Sequence, residues 1–222
     1  MPLKQKVLKE VIMKHDHASY FDANIQIKTI SIDYQFEIYV VPDVTAQFLQ
    51  SQYLLTSLKL TSINFNLIRN EIFKQDISGK IKFRLQILEM SYECPEDFID
   101  IKLNISKFLK TQQDLQSLKV KGGISNEIWD VVIKLPKLEK LELSSKCFFG
   151  FDFFGKLKQN PKIIELSLSG VFRDDIFKNV LKCFPKVTKF VQKGEFVTSD
   201  DQLISLIEVL PFLHTMEVRM FE

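Results

Sequence analysis

The chain contains 222 residues, of which 45% are hydrophobic and 26% are charged, a composition typical of one soluble domain or one solenoid. Its 30 Lys and Arg residues against 28 Asp and Glu residues leave a net charge of +2, which argues against a dedicated nucleic-acid-binding or membrane-surface protein. The chain has only seven glycines, which argues against Gly-rich phosphate loops. Its three cysteines are scattered along the sequence, which excludes a disulfide scaffold or a zinc ribbon.

The N-terminal segment, residues 1–24, lacks the pattern that repeats through the rest of the chain. We expect a capping helix there, followed by a segment that leads into the repeats, because the terminal unit of a repeat domain needs a polar outer face. No apolar run of signal-peptide length is present, so the cytoplasm or the nucleus is the expected compartment. His15, Asp16, His17 and Asp22 offer too few strong ligands for a zinc site and are expected in a solvated loop.

The pattern L-x-x-L-x-L recurs over residues 25–222. Its clearest copies are LQSLKV at 115–120, LEKLEL at 138–143 and IIELSL at 163–168. Weaker copies begin at Ile27, Leu55, Leu85, Val187 and Leu213. The copy at Val187 has Gln192 where an apolar residue belongs. Successive copies begin 23 to 30 residues apart, near the roughly 20 to 29 residues of leucine-rich repeats, so about eight such repeats are predicted.

The first half of the chain also contains a longer internal repeat. The form F-L-x-[ST]-Q-x-x-L-x-S-L occurs at 48–58 and returns sixty residues later at 108–118. A match of this length indicates that the two segments are built in the same way. It differs from the proline-marked junctions of the second half, so we expect a different junction between helix and strand here.

In the second half, a predicted helix followed by a proline precedes each copy of the pattern. Residues 126–135 place Ile128, Val131, Val132 and Leu135 on one helical face. The helices predicted at 174–184 and 199–207 open with acidic residues, which suit a helix N-terminus. Prolines 136, 161, 185 and 211 stand two residues before the first apolar residue of a copy. Proline ends a helix and favours extended geometry before it, so strands and helices alternate and the strands are parallel.

These elements predict an α/β leucine-rich-repeat solenoid, a horseshoe with a parallel sheet on one face and helices on the other. The last predicted strand, residues 214–220, is followed only by Phe221 and Glu222. Its outer backbone groups and apolar flank need a cover. We expect a partner, a second copy of the chain or a further segment to supply it.

The proline-marked units resemble the repeats of F-box substrate adaptors. Residues 124–138 (ISNEIWDVVIKLPKL) match the second half of that family's repeat closely, and Cys183 stands two residues before Pro185. The resemblance implies a substrate-binding half of a ubiquitin-ligase adaptor, linked to the cullin machinery through an F-box. No L-P-x-E-type segment precedes the repeats, so the ligase-docking half is expected to be absent or to lie outside these residues. The alternative is a free-standing scaffold or regulatory repeat protein without a ligase link.

No group of residues predicts catalysis, a metal or a cofactor. Cys94, Cys147 and Cys183 have no His nearby in sequence and are expected to be buried as small apolar residues. The pair Gly122-Gly123 after a predicted strand is explained by a turn that needs positive φ. Trp129 is expected to pack beside the apolar face of its helix. We therefore expect a non-catalytic protein.

The remaining candidate is the polar face of the sheet. Because side chains alternate along a strand, the residues between the apolar positions face away from the core. One polar face indicates an open face on which a protein partner can dock, with no nucleic acid and no membrane expected. The predicted partner-binding residues are Lys59, Glu89, Lys119, Lys121, Lys140, Glu142, Glu165, Lys189, Lys193, Glu217 and Arg219. Charge reversal at Lys119 and Lys140 is expected to weaken binding and to leave stability almost unchanged.

Overall fold

The computed structural model describes residues 7–14, 25–33, 42–63, 82–92, 99–144, 158–193 and 200–219. These ranges form one nine-stranded sheet in which the strands follow chain order and every neighbouring pair is parallel. The strands are β1 Val7–Lys14, β2 Gln26–Asp33, β3 Ser57–Ile63, β4 Ile87–Tyr92, β5 Ser117–Lys121, β6 Lys140–Ser144, β7 Glu165–Ser169, β8 Lys189–Lys193 and β9 Thr215–Arg219.

The described ranges contain five helices, and each lies between two successive strands. They are α1 Pro42–Ser51, α2 Ile99–Thr111, α3 Asn126–Val132, α4 Asp174–Lys182 and α5 Asp200–Val209. Adjacent parallel strands require a crossover connection, and a helix supplies it in each of these units. The chain is thus an α/β protein with one open parallel sheet and interspersed helices, an arrangement compatible with a leucine-rich-repeat-like solenoid. The number of repeats and the horseshoe shape stay predictions.

The register of the sheet follows the L-x-x-L-x-L pattern. The second apolar position of each copy lies beside the same position on the next strand, as Leu118 lies beside Leu88 and Leu141. Leu118 and Leu141 are both buried in a continuous apolar core. The first apolar residues, such as Leu115 and Leu138, are buried as well. The predicted core positions of these copies are confirmed.

The structure of the N-terminal segment differs from the predicted capping helix within residues 1–24. Its described part, Val7–Lys14, is a strand paired in parallel with β2. Leu8, Val11 and Met13 align with the three apolar positions of β2. These residues form a further, weak copy of the pattern, with Val and Met in place of Leu. The sheet therefore has one strand more than the eight copies predict, and His15, Asp16, His17 and Asp22 lie outside the described residues.

The helices agree with their predicted apolar faces. In α3, Ile128, Val131 and Val132 are buried, and the Ser125 hydroxyl accepts a hydrogen bond from the backbone N–H of Ile128 at 3.4 Å. Trp129 is buried with its ring centroid 5.8 Å from that of Phe184, in an edge-to-face arrangement, so its predicted packing role is confirmed. The predicted first residue of α5, Ser199, lies outside the described residues.

The two copies of F-L-x-[ST]-Q form the same hydrogen-bonded junction. Gln52 and Gln112 are fully buried, and each side-chain oxygen accepts from the backbone N–H of the preceding unit, Ile27 or Leu85, at 2.9 Å. Each amide group donates to the hydroxyl of the residue before it. That hydroxyl donates to the backbone carbonyl of the Phe that opens the motif. The motif therefore joins neighbouring units where the second half of the chain uses proline.

The glycine prediction needs a correction. In the described part of the chain, the glycine with positive φ is Gly170, at 91°, directly after β7. Gly122 and Gly123, which follow β5, do not have positive φ, so a positive-φ turn does not explain them. Gly122 is buried, and the absence of a side chain lets the backbone lie close to its neighbours.

No helix in the described ranges is both long enough and apolar enough to cross a bilayer.

Candidate functional site

The open face of the sheet brings the predicted charged residues into ordered rows. Lys59, Glu89, Lys119 and Glu142 occupy the same position on β3, β4, β5 and β6, and the pairing register places each beside the next. We call these four residues the central row. Neighbouring parallel strands are about 4.8 Å apart, so the side chains of one row can contact one another. The central row therefore alternates in charge from strand to strand.

Salt bridges connect every neighbouring pair in the central row. The Lys119 Nζ lies 2.9 Å from Glu89 Oε1 and 3.5 Å from Glu142 Oε1. The Lys59 Nζ lies 3.7 Å from Glu89 Oε2. The two inner residues, Glu89 and Lys119, thus each contact an opposite charge on both sides. Four of the predicted binding residues are held in place by one another.

Lys193 extends this network across an intervening strand. Its Nζ lies 2.5 Å from Glu142 Oε2, although Lys193 is on β8 and Glu142 is on β6. The strand between them, β7, has Ser167 and Ser169 on this face, and both are buried. Small side chains leave room for the Lys193 stem to pass over β7. Val191 on β8 is also buried, so these three positions are less open than alternation alone predicts.

A second group of paired charges lies toward the C-terminal strands. Lys140 Nζ is 3.3 Å from Glu165 Oε2, and Lys189 Nζ is 2.7 Å from Glu217 Oε1. Arg219 also contacts Glu217, at 2.5 Å. Hydrogen bonds from Lys189 and Arg219 hold the pKa of the Glu217 carboxyl below its usual value. Most of the predicted site is therefore neutralised within the chain.

The position of Lys119 changes the expected effect of reversing its charge. Burial lowers the pKa of its ammonium group, but hydrogen bonding to Glu89 and the charges of Glu142 and Glu89 outweigh burial and raise the pKa above its usual value. The side chain is only 26% exposed. A carboxylate here would contact two other carboxylates instead of two opposite charges. From these contacts we expect charge reversal at Lys119 to lower stability, in contrast to the expectation from the sequence.

Lys121 at the end of β5 is partly exposed. Within the described ranges, it is the one predicted binding residue that forms no ion pair. Lys59 and Lys140 are paired, but their side chains are about half exposed, at 48% and 57%. These three lysines, rather than Lys119, can present positive charge to a partner.

A shallow cavity on this face lies beside Lys140. Its volume is about 250 Å³, and its lining includes Ile87, Ser117, Lys140, Glu165 and Ser167. Ile87, one of the lining residues, is 49% exposed. Ser117 and Ser167 contribute small side chains, which leave the depression between the charged residues. An apolar side chain of a partner can contact Ile87 while polar groups contact the charges around it.

The described residues contain no group of three or more His, Cys, Asp or Glu side chains that could hold a metal ion. Burial raises the pKa of the Cys183 thiol to about 12, so this thiol stays protonated and unreactive near neutral pH. Its predicted burial is confirmed. Cys94 and Cys147 lie outside the described residues.

No protein-family model matches the chain, and no curated protein matches it in sequence. The likeness to leucine-rich repeats therefore depends on the repeated pattern and on the parallel sheet. The resemblance to F-box adaptors depends on the sequence motif alone.

Proposed function

We propose that the chain is a non-catalytic recognition module that binds a protein partner on the open face of the sheet. The observation that carries this proposal is the network linking Lys59, Glu89, Lys119, Glu142 and Lys193. Ordering a long side chain at an interface costs about 0.5–1.5 kcal/mol, and side chains that are ordered before binding avoid that cost. The network therefore offers a partner a rigid polar surface.

The charges of this face favour a partner that presents carboxylates around an apolar side chain. The predicted site contains seven cations and four carboxylates. Lys59, Lys121 and Lys140 carry the accessible part of this positive excess, and the exposed Ile87 lies on the strand between β3 and β5. Exposed charges contribute mainly to the rate and specificity of association, and an apolar anchor contributes most of the affinity.

The most specific form of the proposal is a substrate-binding part of an F-box-like ubiquitin-ligase adaptor. Its support is the resemblance of residues 124–138 to that family's repeat. In this form, the open face binds the substrate and cullin-linked machinery associates through an F-box outside these residues. The alternative is a free-standing scaffold or regulatory repeat protein, which uses the same face without the ligase link.

The test begins with a photo-crosslinking amino acid in place of Ser117, which lines the cavity, followed by mass spectrometry of the captured protein. The purified partner is then titrated against Lys121→Glu/Lys140→Glu and against a helix-side control, Lys158→Glu/Lys178→Glu. The proposal predicts weaker binding by the first pair only. Equal binding by both pairs, or loss with the control pair alone, would contradict a site on the sheet face.

A separate measurement addresses the ligase link. Full-length protein expressed in its native cells is purified, and cullin-linked adaptor proteins are measured by quantitative mass spectrometry. Their stoichiometric copurification is expected of a ligase adaptor. Partner binding on the sheet face without any of these proteins would instead favour the scaffold.

A further inference from the structure

A second charged surface lies at the edge of the sheet where the strands begin. In the second half of the chain, a tight turn precedes each of the strands β6 to β9, and the second corner residue of each turn is exposed. In two of these turns, the Val187 N–H donates to the Phe184 carbonyl at 3.2 Å, and the Leu213 N–H donates to the Leu210 carbonyl at 3.1 Å. The turn corners are Pro136-Lys137, Pro161-Lys162, Pro185-Lys186 and Pro211-Phe212.

Backbone hydrogen bonds just after these turns stack them in register. The Ile164 N–H donates to the Glu139 carbonyl, the Thr188 N–H to the Ile164 carbonyl, and the His214 N–H to the Thr188 carbonyl, each at 2.9 Å. Equivalent turn residues therefore follow one another at strand spacing, about 4.8 Å per unit.

Three lysines, Lys137, Lys162 and Lys186, occupy one equivalent position in three successive turns. Together with Arg84, which has the same position in an earlier unit, we call them the basic rim. Like charges at neighbouring positions of a sheet are destabilising, and the open face avoids this by alternating its charges. In the rim, Asp114 has the equivalent position between Arg84 and Lys137, but Lys137, Lys162 and Lys186 follow one another with no carboxylate at that position, so their charge requires another explanation.

Intramolecular contacts neutralise only part of the basic rim. Lys137 Nζ lies 2.5 Å from Asp114 Oδ1. Lys162 Nζ donates to the backbone carbonyl of Pro136 at 2.6 Å. Within the described ranges, neither Lys162 nor Lys186 forms an ion pair with a carboxylate. The helix dipole does not account for Lys186 either, because α4 ends at Lys182 and the dipole acts within the last turn.

Apolar and aromatic side chains lie among these cations. A cavity of about 310 Å³ at one end of the rim is lined by residues that include Tyr53, Lys82, Arg84, Asp114 and Lys137. Ile164, near the middle, and Phe212, at the other end, are 42% and 53% exposed. The rim is therefore a mixed basic and apolar strip.

We infer that the basic rim binds an extended, acidic polypeptide segment with apolar side chains. The exposed apolar residues favour a polypeptide over a phosphate polymer. The chain's net charge of +2 and its pI of about 8.3 are low for a protein that binds a nucleic acid, which also favours a polypeptide. From Arg84 to Phe212 the rim crosses six consecutive strands, β4 to β9, a span of about 24 Å, which matches roughly seven residues of extended chain. This surface is independent of the sheet-face site.

The probe is an array of ten-residue peptides whose acidic and apolar content vary independently. Purified wild-type protein is expected to bind best to peptides that combine Glu or Asp with Leu or Phe. No preference for acidic peptides would overturn the inference. The best peptide is then labelled for anisotropy titrations, and a twenty-nucleotide oligothymidylate and phosphatidylserine vesicles are measured beside it. Tighter binding to either of these would also overturn the inference.

The variant for the titrations is Lys162→Glu/Lys186→Glu. It is expected to weaken peptide binding by about tenfold or more. The matched control, Lys107→Glu/Lys178→Glu, makes the same change in net charge on helices α2 and α4 and should leave the affinity within about twofold. An equal loss of peptide affinity in both variants would show that binding depends on net charge alone and would overturn the inference. The sheet-face variant Lys121→Glu/Lys140→Glu should bind the peptide with wild-type affinity. The proposal for the basic rim and the proposal for the sheet face can therefore fail independently of each other. Thermal melts establish that each variant is folded.

Discussion

Reversal of one charge in the central row tests whether the salt-bridge network stabilises the sheet. Lys119 contacts Glu89 at 2.9 Å and Glu142 at 3.5 Å. Lys119→Glu removes both attractions, each worth about 0.2–1 kcal/mol for an exposed pair. It also adds two repulsions of about the same size between neighbouring strands. We expect a loss of about 1–3 kcal/mol in the free energy of unfolding, in the upper half of that range because the side chain is only 26% exposed.

The assay is urea unfolding followed by circular dichroism at low and at high salt. In a parallel thermal melt, each kcal/mol of lost stability corresponds to a decrease of about 2–4 °C in Tm for a chain of this length. The loss should shrink at 1 M salt, because the Debye length falls to about 3 Å. Lys119→Met separates the two contributions, since it removes the attraction without adding repulsion and should cost less than Lys119→Glu. Lys178→Glu is the matched control, because the Lys178 Nζ lies 3.8 Å from Glu208 Oε2 in a salt bridge between helices α4 and α5. An equal loss in Lys178→Glu, or no dependence on salt, would refute the role of the network.

Three further predictions concern other parts of the sheet. Gln112→Leu leaves the buried N–H of Leu85 without its acceptor, so unfolding measurements should find a loss of about 1–3 kcal/mol, against about 0.5 kcal/mol or less for the exposed Gln113→Leu. Leu141→Ala should cost about 2–5 kcal/mol through lost burial and a cavity, and hydrogen exchange should quicken first in the neighbouring units, within residues 115–190. The lowered pKa of Glu217 means that its ion pairs stabilise the fold above the usual value of 4.5 and that this contribution is lost as pH falls below it. Tm measured from pH 6 to pH 3 should therefore fall less steeply in Glu217→Gln; an identical pH profile would contradict this assignment.

The sequence predicts the sheet well because one local pattern determines both burial and register. In each strong copy, the apolar side chains can be buried only if every unit places them on the same side. Leu118 and Leu141 therefore lie beside each other without any long-range information in the sequence. Proline adds a second signal, since Pro136 fixes where the helix must have ended.

The first strand was mispredicted because its copy of the pattern is degenerate. Leu8, Val11 and Met13 keep the spacing but not the leucines. Their mixture with charged residues also suits an amphipathic helix, and periodicity over so short a stretch does not separate the two. Pairing with β2 decides in favour of the strand.

The pairing of the face charges had a signal that was missed. Lys59, Glu89, Lys119 and Glu142 occupy one repeat position in four successive copies. Their alternating sign predicts salt bridges as soon as the copies are aligned. The contact between Lys193 and Glu142 had no such signal, because it crosses β7 and depends on the small side chains of that strand.

The alternation in the central row has a consequence for how such a chain can change its length. The sixty-residue repeat that joins 48–58 to 108–118 covers two strands, β3 and β4, before β5 restarts it. Lys59 and Lys119 follow its two copies, with Glu89 between them. Deletion of the single unit that contains β4 would place these two lysines side by side, whereas duplication of the whole pair preserves the order of charges. In the central row, units can therefore be gained or lost in twos without placing like charges side by side.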